Sequence, residues 1–223
     1  MVDEAQDFLP NWWVTVESLT RDGRSGRLYA LLDLDQCLRG EARIPPVPLP
    51  TQFSLRTNCR NTRAITRSSA KLINVRIDAS PGVPDGEQPA LRRAASRAAG
   101  AGVVLGEVRR LLGAAVTTRQ LALIGPAAIA NGALARAADV DGIPLTTDAA
   151  EWRRGRGILV TTATAFKGLE ADVVLLYDLA GFSETFSRAH LYVAWTRARM
   201  RLFIFVYGDE ARVAVETALA EAI

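Results

Sequence analysis

The sequence predicts an α/β chain whose main sheet is mostly parallel and flanked by helices. Short, nearly continuous apolar runs recur at residues 121–124, 157–161, 172–177 and 201–206, with the length and composition of strands buried on both faces. Helical patterning fills the gaps, at 104–112, after Pro126, at 187–197 and in a closing segment at 210–222. Strands alternating with helices are the signature of a parallel, doubly wound sheet.

Upstream the same signals are shorter. Residues 11–19 suit a helix and residues 27–32 a strand ending at Asp33. The run Ile44-Pro45-Pro46-Val47-Pro48-Leu49-Pro50 breaks regular structure, because each proline fixes φ and lacks an N–H. A domain linker is therefore expected there, with residues 1–50 forming one domain and 51–223 a second. A helix follows at 62–73 and a Gly/Pro loop at 80–89. No internal repeat is visible.

Composition narrows the chemistry. With 49% apolar residues the chain is globular. The formal charge is only +3, and all but Lys71 and Lys167 of the 27 basic residues are arginine. So small a net charge points to nucleic acid only if the cations cluster on one face. Cys37 and Cys59 are too few for a disulfide framework and lack metal-ligand spacing. His190 is the only histidine, which argues against a histidine zinc site or a Ser-His-Asp triad. The acidic start Met1-Val2-Asp3-Glu4 is unlike a secretory signal, and no uncharged apolar run approaches the roughly 20 residues of a membrane span. A soluble, reducing, cytoplasmic setting is the expectation, with no membrane partner.

Candidate chemistry begins at Val2-Asp3-Glu4-Ala5-Gln6-Asp7. Adjacent carboxylates after a hydrophobic strand offer one ligand for a hydrated Mg²⁺ and one base for a water, although an isolated Asp-Glu pair is usually just solvated. Asp33-Leu34-Asp35-Gln36 follows the second strand signal and places Gln36 where it could bond a phosphate or an attacking water. Asn58-Cys59-Arg60-Asn61-Thr62 opens a helix, setting Arg60 near a helix N-terminus that favours anions. Phe166-Lys167-Gly168-Leu169-Glu170 joins two buried strands, and Tyr192-Val193-Ala194-Trp195-Thr196-Arg197-Ala198-Arg199 spans a helix end and the next strand. Each piece alone is weak.

In this order, the pieces resemble the UvrD/Rep-type superfamily 1 DNA helicases. The acidic motif is matched at Asp3 to Asp7, the following motif at Asp33 to Gln36, the Asn-x-Arg motif at Asn58 to Arg60, the fifth at Thr162 to Glu170 and the sixth at Tyr192 to Arg199. The wording is closest to a compact subgroup that writes them D-E-x-Q-D, N-C-R-N-T and F-K-G-L-E. The resemblance implies a RecA-like, P-loop NTPase type sheet for 51–223, and for 1–50 the remnant of a first RecA-like motor domain. It also implies ATP and Mg²⁺ as cofactors of a complete motor, and single-stranded DNA as a partner. By it Asp3 would hold the metal, Glu4 would activate water and Gln36 would sense the γ-phosphate. Arg60 and Arg197 would be arginine fingers, Glu170 would contact the ribose and Thr162 a DNA phosphate. Arginine suits that task through its permanent charge and planar fork.

The sequence also departs from that family. No G-x-x-x-x-G-K-[ST] phosphate loop occurs, so the β- and γ-phosphates lack their usual cradle. Cys59 stands where many relatives stack adenine on a tyrosine, and no aromatic follows Gln36 within residues 37–41. The stretch from Arg60 to Gly157 is too short for the helical insertion of larger relatives. The expectation is the C-terminal portion of a helicase motor, inactive alone, whose partner is a missing N-terminal motor segment in the same or an adjacent chain. The alternative is a non-catalytic DNA- or protein-binding module derived from a helicase. An independent Mg²⁺ hydrolase built on Asp3 and Glu4 would leave Arg60, Glu170 and Arg197 unexplained. Trp12 and Trp13 read as packing residues, Arg92, Arg93 and Arg97 as a solvated face, and Trp195 as packing beneath Arg197.

Overall fold

The computed structural model describes residues 1–20, 27–38 and 44–220. The chain divides into two compact units, Met1–Leu55 and Arg56–Ile223.

The first unit is small. Its helix α1 (Pro10–Thr20) follows a 3₁₀ turn at Ala5–Asp7. A parallel bridge joins Val2 to Ala30, where Val2 N donates to Tyr29 O and Leu31 N to Val2 O. Among the described residues, the strand expected at 27–32 is thus reduced to one bridge. The core is Val2, Ala5, Trp13 and Val47. Of the two tryptophans expected to pack, Trp13 is buried, while Trp12 remains 45% exposed against the edge of Phe8. Part of the 37–41 stretch searched for a stacking aromatic lies outside the described residues.

The second unit holds strands β1 (Thr57–Asn58), β2 (Asp78–Ala79), β3 (Ala90–Arg93), β4 (Leu121–Gly125), β5 (Asp139–Val140), β6 (Ile143–Thr146), β7 (Ile158–Thr162), β8 (Ala171–Leu179) and β9 (Ala198–Val206). Its helices are α2 (Arg63–Leu72), α3 (Arg97–Gly113), α4 (Ala149–Arg153), α5 (Arg188–Thr196) and α6 (Asp209–Leu219). Strands β1 and β2 form a parallel pair, and the rest a seven-stranded sheet of order β3-β9-β8-β4-β7-β6-β5. All its pairings are parallel except β5 with β6.

Alternation within the central strands explains their apolar continuity. In β8, Val174 and Leu176 enter a core shared with α2, α4, α5 and α6, while Val173, Leu175 and Tyr177 enter another under α3. Successive residues face opposite sides, so a strand covered on both faces must be apolar throughout. Tyr177 lies across the last residue of β4. A Cβ at Gly125 would come within 2.7 Å of its ring, so glycine is required there. Burial, and then Asp178, push the Tyr177 phenol up to about 12.

Differences from the sequence expectation have local causes. No helix follows Pro126; a 3₁₀ turn at Ile129–Asn131 leads instead to the β5–β6 hairpin. Its turn is Asp141-Gly142, both at positive φ, a signal of the kind that marks tight hairpins. Helix α3 begins at Arg97, capped by Ser96, whose side chain accepts from Ala99 N. Arg92 and Arg93 belong to the edge strand β3 and are exposed, charge that discourages pairing with another chain. Arg97 differs from both. It grips the buried carboxylate of Asp178 through Nε and Nη2 at 2.8 and 2.7 Å, and Ala133 N donates to the same group at 2.9 Å. One carboxylate therefore ties the end of β8 to the start of α3 and to the loop after β4.

Helix α5 supplies a pH-sensitive element. His190 is buried, and its Nδ1 accepts from Ser187 N at 3.2 Å in the helix cap. Burial lowers its pKa below the ordinary 6.5, since the charged ring loses water. The unfolded chain therefore binds the proton first as pH falls. The stability contributed by the neutral ring is complete above 6.5 and is lost as pH drops toward the lowered folded value. His190→Gln keeps a cap acceptor without a titrating group. Urea melts on either side of 6.5 should show a smaller acid loss in this variant than in the wild type; identical acid sensitivity would rule out His190 as its source.

Candidate functional site

In the first unit the acidic motif and the Asp33–Gln36 motif are joined by side chains. Glu4 adopts the left-handed conformation, φ 52° and ψ 41°, uncommon for a residue with a Cβ and often tied to function. Its N–H donates to Asp3 Oδ1 at 2.9 Å. Gln6, 1% exposed, donates through Nε2 to Glu4 Oε2 at 2.6 Å and accepts at Oε1 from Asp33 N at 3.0 Å. Asp33 Oδ2 in turn accepts from Gln36 Nε2 at 2.7 Å. The chain Glu4–Gln6–Asp33–Gln36 thus positions two of the expected catalytic residues relative to one another. Gln6 had only a motif position to mark it. Desolvation, and then the charge of Asp33, raise the Asp35 pKa. The Asp3 carboxylate is exposed and offers the hard oxygen that a largely hydrated Mg²⁺ accepts.

The second unit gathers the other motifs at the N-terminal ends of β8 and β9. Glu170 immediately precedes β8, and Arg197 closes α5 immediately before β9. The Arg60 loop docks onto this corner through Asn61, 1% exposed. Asn61 Nδ2 donates to Thr196 O at 2.9 Å and to Ala198 O at 2.5 Å, the carbonyls flanking Arg197. Asn61 Oδ1 accepts from Asn58 Nδ2 at 2.8 Å, and Asn58 Oδ1 accepts from Arg60 N at 2.9 Å. Thr62 N donates to Arg199 O, and Ala171 N to Arg197 O. Two asparagine amides therefore set the backbone of Arg60 relative to that of Arg197.

Charges converge on the same corner. Arg60 Nε lies 2.9 Å from Glu170 Oε2, with side chains 46% and 42% exposed. Arg199 lies 3.5 Å from both Glu170 and Asp172, and Asp172 accepts from Gln120 Nε2. Exposed pairs of this kind contribute at most about 1 kcal/mol, so Arg60 exchanges Glu170 for another anion at little cost. Arg197 is placed differently. It is 3% exposed, and its Nε donates to Val193 O at 3.2 Å, one turn back on α5.

Thr162 stands apart from this corner. It ends β7, at the C-terminal ends of the parallel strands, opposite the N-terminal ends that carry this corner. Its hydroxyl accepts from Ala165 N at 3.2 Å and its carbonyl from Phe166 N, so it organises the turn that leads to Glu170. Phe166 is fully buried beneath that turn, and Gly168 supplies its positive φ.

Asn61 was quoted only as part of a motif, yet two buried carbonyls depend on it. Asn61→Ala should cost about 1–3 kcal/mol, because those acceptors lose their donor inside the protein. Asn61→Asp should cost more, since a carboxylate faces two carbonyls. Thermal melts rank the variants, and an aspartate variant as stable as the wild type would show that the clamp contributes nothing.

Residues 157–205 match the UvrD-like helicase C-terminal domain family, a stretch running from the start of β7 into β9. Among solved structures, the C-terminal domain of a possible DNA helicase from Lactobacillus plantarum WCFS1 is similar at 22% identity and TM-score 0.53, over 70% of this chain and 91% of that one. The PRRSV helicase is similar over 92% of this chain but only 34% of its own, at 18% identity and TM-score 0.45. No curated protein matches by sequence. The mostly parallel sheet flanked by helices is thus similar in fold to that helicase C-terminal domain. Among the described residues, no helix is long and apolar enough to cross a membrane.

Proposed function

We propose that these residues are the C-terminal portion of an ATP-dependent DNA helicase or translocase. Met1–Leu55 contributes the acidic motif of the first motor domain, and Arg56–Ile223 is the second. The observation that carries this reading is the Asn58–Asn61 clamp, which fixes the Arg60 backbone beside the peptide units around Arg197. Two arginines held at one corner match the demand of phosphoryl transfer for cations around the migrating group. In this reading Asp3 holds Mg²⁺, Glu4 takes a proton from the attacking water, and Gln36 orients that water or the γ-phosphate. Arg60 and Arg197 neutralise transition-state charge, Glu170 bonds the ribose, and Thr162 holds a phosphate of single-stranded DNA at the C-terminal end of β7. Magnesium-bound ATP supplies the polarised γ-phosphate. No phosphate-loop motif occurs within the 223 residues, so that cradle comes from a segment outside them.

In this reading the ion pair of Arg60 with Glu170 opens when nucleotide arrives: phosphate takes the arginine and ribose takes the carboxylate. A second reading, a non-catalytic DNA- or protein-binding module, draws on the burial of Arg197, whose Nε is engaged by the Val193 carbonyl. The separating experiment is ATP hydrolysis in the presence of single-stranded DNA by a polypeptide that adds a phosphate-loop segment, compared with its Arg60→Ala variant. Hydrolysis that depends on Arg60 supports the motor, and none at all supports the module.

A further inference from the structure

The strongest concentration of unassigned charge lies on α2. Arg63, Arg67 and Lys71 recur every fourth residue, so they share a helix face at steps of roughly 6 Å along the axis. Beside them runs the segment entering β2, which adds Arg76, and the two walls enclose an open trough of about 650 Å³. Its lining carries these four cations against one carboxylate, Asp78, which lies 3.4 Å from Arg76. That surplus equals the formal charge of the entire chain, +3, so here the cations are clustered as nucleic-acid binding requires.

We propose that this trough binds the phosphodiester backbone of single-stranded nucleic acid. Its floor is small and aliphatic, with Ala70, Val75 and Ile77 and no aromatic ring in the lining. It therefore offers bases no stacking platform and holds the strand through its charge, without reading sequence. The concave shape selects one strand. A duplex is met by a helix or ribbon that protrudes into its groove, whereas a trough with cations on both walls accommodates one backbone between them. Two of the cations, Arg63 and Arg76, are also easily released from their exposed partners. Arg63 pairs with Asp85 at 3.4 Å, with side chains 40% and 85% exposed, and such surface pairs give way to phosphate at little cost. The trough is distinct from Thr162 and rests on the proposed function only for the identity of the strand as a partner.

The test uses the 223-residue chain and a fluorescein-labelled oligothymidylate, with anisotropy followed across a salt series. Arg67 and Arg76 are exposed, so the double variant Arg67→Glu with Arg76→Glu removes charge without opening the core. It should weaken binding by about tenfold or more at low salt and reduce the salt slope by roughly 1.4, about 0.7 per lost phosphate contact. Arg136→Glu with Arg153→Glu makes the same charge change outside the trough. It should shift affinity less than about twofold, because non-contacting surface charges are screened. Should circular dichroism show the first double variant unfolded, Arg67→Gln replaces it, with an expected slope loss of roughly 0.7. The proposal is overturned by equal losses in both double variants, by no loss in the trough variant, by absence of binding to the wild type, or by equal affinity for duplex DNA or phosphatidylserine vesicles. A trough variant that binds normally while Thr162→Val does not would remove the trough and leave the proposed function standing.

Discussion

ATP hydrolysis by the 223 residues alone is expected to stay at background, with or without single-stranded DNA, and to appear when a segment carrying a phosphate loop is supplied. Phosphoryl transfer needs a nest of backbone N–H groups, a lysine, a metal held by Ser/Thr and Asp, and a cation on the transferring group. These residues provide the carboxylates and arginines but no phosphate-loop motif. In the completed polypeptide, Arg60→Ala or Arg197→Ala should lower turnover by about a thousandfold or more. Glu4→Gln should lower it by about a hundredfold to ten-thousandfold, the usual worth of a positioned base. Robust turnover by the short chain that disappears in Glu4→Gln would overturn the argument. So would a completed polypeptide indifferent to Arg60 and Arg197.

Arg197 adds a condition to that result. It is buried, and the bond from its Nε to the carbonyl of Val193 is one that must break before it can meet a phosphate. Arg60 needs only to exchange one exposed anion for another. Arg60→Ala should therefore weaken nucleotide binding as well as turnover. Arg197→Ala should act on turnover and leave binding nearly unchanged, the signature of an interaction made only in the transition state.

The central strands β4, β7, β8 and β9 were legible in the sequence because burial on both faces forces uninterrupted apolar runs, and α2, α5 and α6 were expected close to where they stand. The pieces that escaped were held by tertiary contacts. Strand β3 is short and carries Arg92 and Arg93, so nothing in its composition distinguishes an edge strand from a loop. The segment after Pro126 has the alanines of a helix, yet Ala133 N is drawn to Asp178 from another strand. At the candidate site, motif order singled out Arg60, Glu170 and Arg197 as candidates. The residues that tie the motifs together, Gln6 and Asn61, show their importance only through burial and through partners as distant in sequence as Ala198. Sequence spacing likewise could not separate Thr162 from Glu170: eight residues apart, they stand at opposite ends of the strands because β7 and β8 both run parallel to β4.

Trp195→Ala is expected to be the most destabilising single substitution in the second unit, at about 3–5 kcal/mol. The ring is fully buried in the core shared by α2, α5 and α6, and its indole N–H donates to Ser68 Oγ at 3.1 Å on α2. Truncation leaves a cavity that the surrounding helices, close-packed on the sheet, cannot collapse to fill. Against the roughly 5–15 kcal/mol that stabilises a typical domain, such a loss should move the urea midpoint by more than about 1 M. Trp195→Phe keeps most of the volume and should cost about half as much or less. Ser68 then loses only the role of acceptor, since its hydroxyl still bonds the Ala64 carbonyl at 2.9 Å. Ser68→Ala, in contrast, strands a buried indole N–H and should cost about 1–3 kcal/mol. Trp195 also anchors the last turn of α5, two residues before Arg197, so it reaches the site through the backbone that Asn61 clamps. Circular dichroism melts in urea should rank wild type above Trp195→Phe and Trp195→Ala last. A Trp195→Ala midpoint within about 0.3 M of the wild type would mean that α2 and α5 are not held together by this ring, and would remove the packing support proposed for the arginine corner.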